Sequence, residues 1–197
     1  ITKLHGISKD PNTQNYILVL EYVKYGSLRS FLDKYNKYLL VSYKIKILKN
    51  IAEGINEIHS KGLIHQDIHS GNILNTDFDN VKVTDLGLSK FVGQLSNNNK
   101  KENKIYGNLP YIAPEVFRRQ HYTRKADIYA FGIIINEVFT GKRPFYNMLD
   151  DELNLIIDIC KNNLRPKIHE NTPKFLINLL NKCWDVEPSN RPTADEI

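Results

Sequence analysis

The segment from Ala126 to Thr140 constrains this chain most. Its apolar residues, Ile128, Phe131, Ile133, Ile134, Ile135, Val138 and Phe139, do not keep to one helical face. A helix that is apolar nearly all round has no side to give to water and must be enclosed by other elements. Gly141 follows, and glycine ends helices by taking a left-handed conformation without a steric penalty. The segment is expected to be a buried central helix, so the rest of the chain must wrap it. At 197 residues and 41% hydrophobic, the chain is long enough to do so as one domain.

Elements able to form that wrapping are legible on both sides. From Ser42 onward, Ile45, Leu48, Ile51, Ala52, Ile55 and Ile58 recur every three or four residues, which predicts a helix with one apolar face ending at Lys61-Gly62. Thr172-Pro173 is expected to open a further helix with proline at its first position and Phe175, Leu176, Leu179, Leu180 and Cys183 on its inner face. Ser27 suits the cap of a short helix that buries Leu28, Phe31 and Leu32. Tyr16 to Leu20 reads as a buried strand. Ile73-Leu74 and Val81-Lys82-Val83 are too short for helices and should pair as a hairpin around the turn from Asn75 to Asn80. The fold class is therefore α+β, with a mostly helical second half.

Composition excludes several function classes. No stretch approaches the roughly 20 apolar residues of a membrane span. Cys160 and Cys183 form no CxxC pair and have no histidine cluster beside them, which supports neither a disulfide framework nor a zinc site and fits a reducing, cytoplasmic setting. The formal charge of +5 comes from lysines and arginines spread along the chain rather than gathered in a stripe with aromatic residues, so nucleic acid is not the expected partner. The polar run from Asn97 to Lys104 has almost nothing to bury and is read as a mobile loop.

Chemistry concentrates just after the helix that starts at Ser42. His65-x-Asp67-x-x-x-x-Asn72 leads into the hairpin and Asp85-x-Gly87 leaves it, so Asp67, Asn72 and Asp85 can converge at one end of that hairpin. Such a set suits phosphoryl transfer: one carboxylate accepts or orients the proton of an attacking hydroxyl, while an amide oxygen and a second carboxylate hold Mg²⁺. Gly87 leaves the backbone free to turn sharply beside the second carboxylate.

His65-Gln66-Asp67-Ile68-His69-Ser70-Gly71-Asn72 resembles the HRDxxxxN loop of eukaryotic-type protein kinases, and Asp85-Leu86-Gly87 resembles their DFG. Ala113-Pro114-Glu115 matches APE, the segment Asp127 to Gly132 resembles the start of the central kinase helix, and Trp184 with Arg191-Pro192 resembles the end of the large lobe. The resemblance covers nearly the whole chain. It implies a protein-kinase-like fold in which residues 1–23 are the end of a small lobe with the hinge, and residues 24–197 the large lobe. It also implies ATP and Mg²⁺ as cofactors and a protein as acceptor, with Asp67 as the catalytic base and Asn72 and Asp85 as metal ligands. His69 stands where serine/threonine kinases place a lysine near the transferring phosphate. Around the nucleotide, Glu21 and Val23 would meet the adenine edge, Leu20 would be the gatekeeper, Ser27 would lie just past the hinge and Leu74 would form the floor. His65 is expected to be structural, packing with Leu86 and Leu4, and Glu115 is expected to pair with Arg191.

The sequence also departs from the family pattern. It begins at what resembles the fourth strand of the small lobe, without a GxGxxG loop or a strand-borne lysine, so these residues alone are expected not to turn over. Gln66 replaces the arginine that in many kinases binds a phosphorylated activation loop. Ser89, Ser96 and Tyr106 are the hydroxyls between Gly87 and Tyr106, and control by their phosphorylation is expected to be slight. Tyr111-Ile112-Ala113-Pro114-Glu115 favours serine/threonine over tyrosine specificity. Two other readings share part of this pattern. Aminoglycoside and choline kinases share an HxDxHxxN loop but lack an APE segment. A pseudokinase or scaffold fits the missing phosphate clamp but not the intact Asp67, Asn72 and Asp85.

Overall fold

The computed structural model describes residues 2–78, 80–92, 105–118 and 120–197. The run from Asn97 to Lys104 and the hydroxyl of Ser96 lie outside the described residues. The chain begins with a β-ribbon: β1 (Leu4–Lys9) pairs antiparallel with β2 (Tyr16–Leu20) from Leu4↔Leu20 to Lys9↔Tyr16, with an irregularity between Leu4 and Gly6. The connection after β2 leads into helix α1 (Leu28–Tyr35). Ser27 caps it as the sequence predicts, its hydroxyl oxygen accepting from the Ser30 N–H at 3.2 Å. Helix α2 (Val41–Ser60) follows, then the short strand β3 (Leu63–Ile64), the hairpin of β4 (Ile73–Asn75) and β5 (Val81–Val83), and β6 (Lys90–Phe91), which pairs with β3. The remainder is helical: α3 (Pro114–Phe117), α4 (Arg124–Thr140), α5 (Glu152–Lys161) and α6 (Lys174–Cys183).

Helix α4 is the axis of the core. Every residue from Ala126 to Phe139 is buried, and the helix ends at Gly141, whose φ of 69° is left-handed. A side chain there would have its Cβ 2.1 Å from Asn36 Nδ2, so position 141 demands glycine on two counts. Helix α2 buries Ile47, Leu48, Ile51, Ala52, Ile55 and Ile58 against the same core, and α6 contributes Leu176, Leu180 and Cys183. A second small cluster holds Phe145, Leu155 and Ile159 beneath α5. The expected α+β class, with its helical second half, is what the chain adopts.

Three expectations need correction. Strand β2 is exposed along its whole length, with Leu18 60% and Leu20 48% accessible; an apolar run is buried only where another layer covers it, and among the described residues β2 pairs with β1 alone. Pro173 is the N-cap of α6 rather than its first residue. Phe175 is 60% exposed because Leu176, Leu180 and Cys183, spaced by four and three, already form the inner stripe.

Candidate active site

The loop 65–72 is shaped by one buried carboxylate at the start of α4. Asp127 Oδ2 accepts from the His65 N–H at 2.9 Å and shares a 2.8 Å hydrogen bond with His59 Nε2, while Oδ1 accepts from the Gln66 N–H at 3.0 Å. Gln66 is thereby held at φ 70°, a left-handed conformation that a residue with a Cβ adopts only when its surroundings enforce it. The His65 ring is fully buried beneath this turn. Its Nδ1 accepts from the Asp67 N–H at 3.3 Å, so Nε2 carries the proton and donates to the Thr84 carbonyl at 2.9 Å. His65 is structural, as expected, but hydrogen bonds fix it; Leu4 and Leu86, expected as its packing partners, are 50% and 37% exposed.

Asp67 emerges from this turn beside Asn72. The Asn72 amide nitrogen donates to the Asp67 carbonyl at 3.0 Å and to Asp67 Oδ2 at 3.1 Å, which turns the amide oxygen away as a free acceptor. His69 Nε2 lies 3.7 Å from Asp67 Oδ1, beyond hydrogen-bond reach. His69 Nδ1 accepts from the Gly71 N–H at 3.0 Å, which orients the ring. Burial by itself would raise the Asp67 pKa. The neighbouring His69 and His65 side chains and the amide of Asn72 outweigh it, and the carboxyl sits below its ordinary value.

The hairpin delivers the second carboxylate. Ile73 pairs with Val83, and the Thr84 N–H donates to the Asn72 carbonyl at 2.9 Å, so Asp85 follows directly from a residue bonded to Asn72. Asp85 is left-handed, with φ 63°, and its Oδ1 accepts from the Gly87 N–H at 3.2 Å. An amide oxygen and a carboxylate are hard oxygen donors of the kind Mg²⁺ takes. On the other side of Asp67 lies Gly107, with φ 112°; a Cβ there would be 3.3 Å from Asp67 Oδ1. Tyr122, whose hydroxyl donates to the Tyr106 carbonyl, is pushed up to about 12 by burial and by the Asp67 charge.

Of the residues expected around the nucleotide, Ser27, Glu21 and Leu74 meet at the same hairpin. Ser27 bridges to Leu74, and the Asn75 N–H donates to the Gly26 carbonyl at 2.9 Å. Glu21 Oε2 accepts from Lys82 Nζ at 2.7 Å, and Lys82 is the cross-strand neighbour of Leu74. That bond, with the Lys3 N–H, lowers the Glu21 pKa. The Glu21 N–H still donates to the Lys3 carbonyl, which leaves the Glu21 carbonyl and the Val23 N–H beyond the β1–β2 ladder. Leu20, at the end of β2, is half exposed.

Sequence reasoning missed Glu137. It is fully buried in α4, where its Oε1 accepts from Arg29 Nη1 and from the Ser70 hydroxyl at 2.9 Å and its Oε2 accepts from the Tyr111 hydroxyl at 2.5 Å. The available signal was a carboxylate inside an otherwise apolar helix, a placement that demands partners. The expected Glu115–Arg191 pair is present and bidentate, at 2.7 and 2.8 Å, with both residues buried.

The chain matches, over residues 1–197, the family model described as protein tyrosine and serine/threonine kinase. It is 36% identical over 186 residues to a probable serine/threonine-protein kinase of Dictyostelium discoideum, covering 93% of this chain and 17% of the relative. It is 36% identical over 202 residues to a putative serine/threonine-protein kinase/receptor of Acanthamoeba polyphaga mimivirus, covering all of this chain and 11% of that protein. A serine/threonine/tyrosine-protein kinase of Arabidopsis thaliana is 32% identical over 183 residues, or 92% of this chain and 45% of the relative. The chain thus spans less than half the length of each of these relatives. With a family model matched from end to end and the loop 65–72 folded around the buried Asp127, this chain belongs to the protein tyrosine and serine/threonine kinase family.

Proposed function

We propose that the protein carrying this chain transfers the γ-phosphoryl group of ATP to serine or threonine hydroxyls of proteins. The observation that carries the proposal is the joined pair Asp67–Asn72, with Asp85 tied in beside it through the Thr84 N–H bond to the Asn72 carbonyl. Serine/threonine specificity draws its support from the names of the relatives and from Tyr111-Ile112-Ala113-Pro114-Glu115.

Asp67 accepts or orients the proton of the acceptor hydroxyl as the oxygen attacks phosphorus. Its lowered pKa keeps it ionised at neutral pH, and Asn72 and His65 fix its direction. His69, whose Nε2 lies 3.7 Å from Asp67 Oδ1, offers an N–H beside the catalytic carboxylate toward the transferring phosphate. Asn72 and Asp85 would hold Mg²⁺, which in this family neutralises charge on the phosphate oxygens. The Glu21 carbonyl and the Val23 N–H read the adenine edge, with Leu20, Ser27 and Leu74 lining its site; in this reading residues 1–23 end a small lobe and residues 24–197 are the large lobe.

Incubating the full-length protein with labelled ATP, Mg²⁺ and a protein acceptor, followed by phosphoamino-acid analysis, tests this. Label on serine or threonine that disappears on chelation of Mg²⁺ is expected. Label confined to tyrosine would overturn the specificity, and binding of partners with no transfer at all would make the chain a scaffold.

A further inference from the structure

We propose that the turn between α1 and α2 is a surface that lies on anionic lipid bilayers, with Tyr38, Leu40 and Val41 entering the headgroup region and Lys34 and Lys37 meeting the negative headgroups. The inference goes beyond phosphotransfer and does not depend on it. None of these residues belongs to the loop 65–72 or to the hairpin that follows it.

The fold leaves the apolar residues of this turn uncovered. Helix α1 ends at Tyr35, one short turn holds Asn36 to Tyr38, and α2 begins at Val41. Leu39 is buried, whereas its neighbours Tyr38 and Leu40 are 68% and 64% exposed and Val41 is 44% exposed. Leu40 occupies the N-cap of α2, where Ser, Thr, Asp or Asn would accept a free N–H of the first turn, and its side chain makes no such bond. Helix stability therefore gives no reason for leucine at 40. Behind the turn, Tyr35 and Tyr43 both pack on Phe78, with ring centroids 5.6 and 5.9 Å apart, and Phe78 packs on the buried Phe31 at 5.2 Å. The exposed residues thus stand on a packed aromatic base.

Charge selects the occupant. From Lys34 to Ala52 the sequence holds no Asp or Glu. Lys34 and Lys37 are exposed, and each ammonium lies over the ring of the next residue, 5.0 Å from the centre of Tyr35 and 5.1 Å from that of Tyr38. Asp33 is bonded to Arg29 at 2.7 Å, and the exposed Asp77 adjoins Phe78, so the positive edge is the α1 side, at Lys34 and Lys37. Lysines beside tyrosine and aliphatic side chains suit an anionic membrane interface. The ammonium groups are drawn to negative headgroups, tyrosine rings sit at headgroup level, and aliphatic tips reach the acyl boundary. An acidic peptide would answer the same charge, but a peptide groove covers much of the side chains that line it, and here the tips at 38 and 40 stand mostly free.

The test is sedimentation of the full-length protein with vesicles of phosphatidylcholine alone and of phosphatidylcholine with roughly 30% phosphatidylserine. Binding to the second kind is expected, weakening as salt is raised, with little binding to the first. Lys34→Glu combined with Lys37→Glu should lower the partition on the order of tenfold or more, and Leu40→Asp should lower it on the order of tenfold. Aspartate is a favoured N-cap, so Leu40→Asp keeps α2 intact. Both variants should match wild type in circular dichroism and in phosphate transfer without vesicles. Absence of binding to phosphatidylserine vesicles, equal binding to both compositions, or binding undiminished in either variant would overturn the proposal. Capture of a labelled poly-glutamate peptide at these lysines without vesicle binding would also overturn it and would assign the face to an acidic protein segment. The vesicle measurements need no turnover, so they decide the matter even if the protein transfers no phosphate.

Discussion

At the scale of single residues, the site is a set of strained or buried positions held by named partners. Gln66 and Asp85 are left-handed without being glycine, one pinned by Asp127 and the other by the Gly87 N–H. Gly107 is the opposite case, since it needs both its φ of 112° and its lack of a side chain. Gly107→Ala is predicted to cost on the order of 1–3 kcal/mol in local strain and to push the segment off Asp67. The change should appear as a loss of turnover with little loss of ATP binding, and full turnover would contradict it. Asp67 adds a pH signature. Its folded pKa lies below the ordinary 3.8, so ionisation favours the fold: the stabilisation is present above that ordinary range and lost as pH falls through the lowered value. Asp67→Asn should therefore flatten the acid limb of a stability profile, and an identical limb would exclude the linkage.

At the scale of elements, the turn after α6 is locked to α3 by Glu115 and Arg191. The guanidinium uses every edge: both terminal nitrogens reach Glu115, Nη1 also reaches the Lys125 carbonyl, and Nε reaches the Asp185 carbonyl at 2.8 Å. Its face lies 5.2 Å from the centre of the Tyr129 ring. Arg191→Ala leaves a buried carboxylate without its cation and is predicted to cost about 3–5 kcal/mol by denaturant unfolding. Replacing both partners with apolar residues should cost much less, and equal losses would show that the pair does not act as a unit. This contact is legible in the sequence because the family pattern carries both residues. The helices α2 and α4 were legible from their periodicity, and Ser27 from its capping chemistry. The exposure of β2 was not, because an apolar strand does not say which of its faces is covered. Glu137 was hidden for a related reason: its partners Arg29, Ser70 and Tyr111 are distant in sequence, and no local pattern links them.

At the scale of the whole molecule, one apolar helix organises both stability and chemistry. Asp127 at the first turn of α4 shapes the loop 65–72, Glu137 near its last turns clamps Ser70 and Tyr111, and the apolar residues between them fill the core. Ile134→Ala, at a fully buried position of α4, is predicted to cost about 2–5 kcal/mol. Leu153→Ala, at a position on α5 that is 76% exposed, should stay within about 0.5 kcal/mol; a ranking in the reverse order by chemical denaturation would refute α4 as the axis. No helix among the described residues is long and apolar enough to cross a membrane. The central claim, that the chain's polar loop is a phosphotransfer site, rests on Asp67. The measurement that tests it most directly is the rate of phosphate transfer from ATP to a protein acceptor by full-length wild-type and Asp67→Asn protein, since asparagine keeps the hydrogen bond from Asn72 and removes only the carboxylate. A fall of roughly 100- to 10,000-fold is predicted, with ATP affinity retained; transfer at close to the wild-type rate would contradict the account.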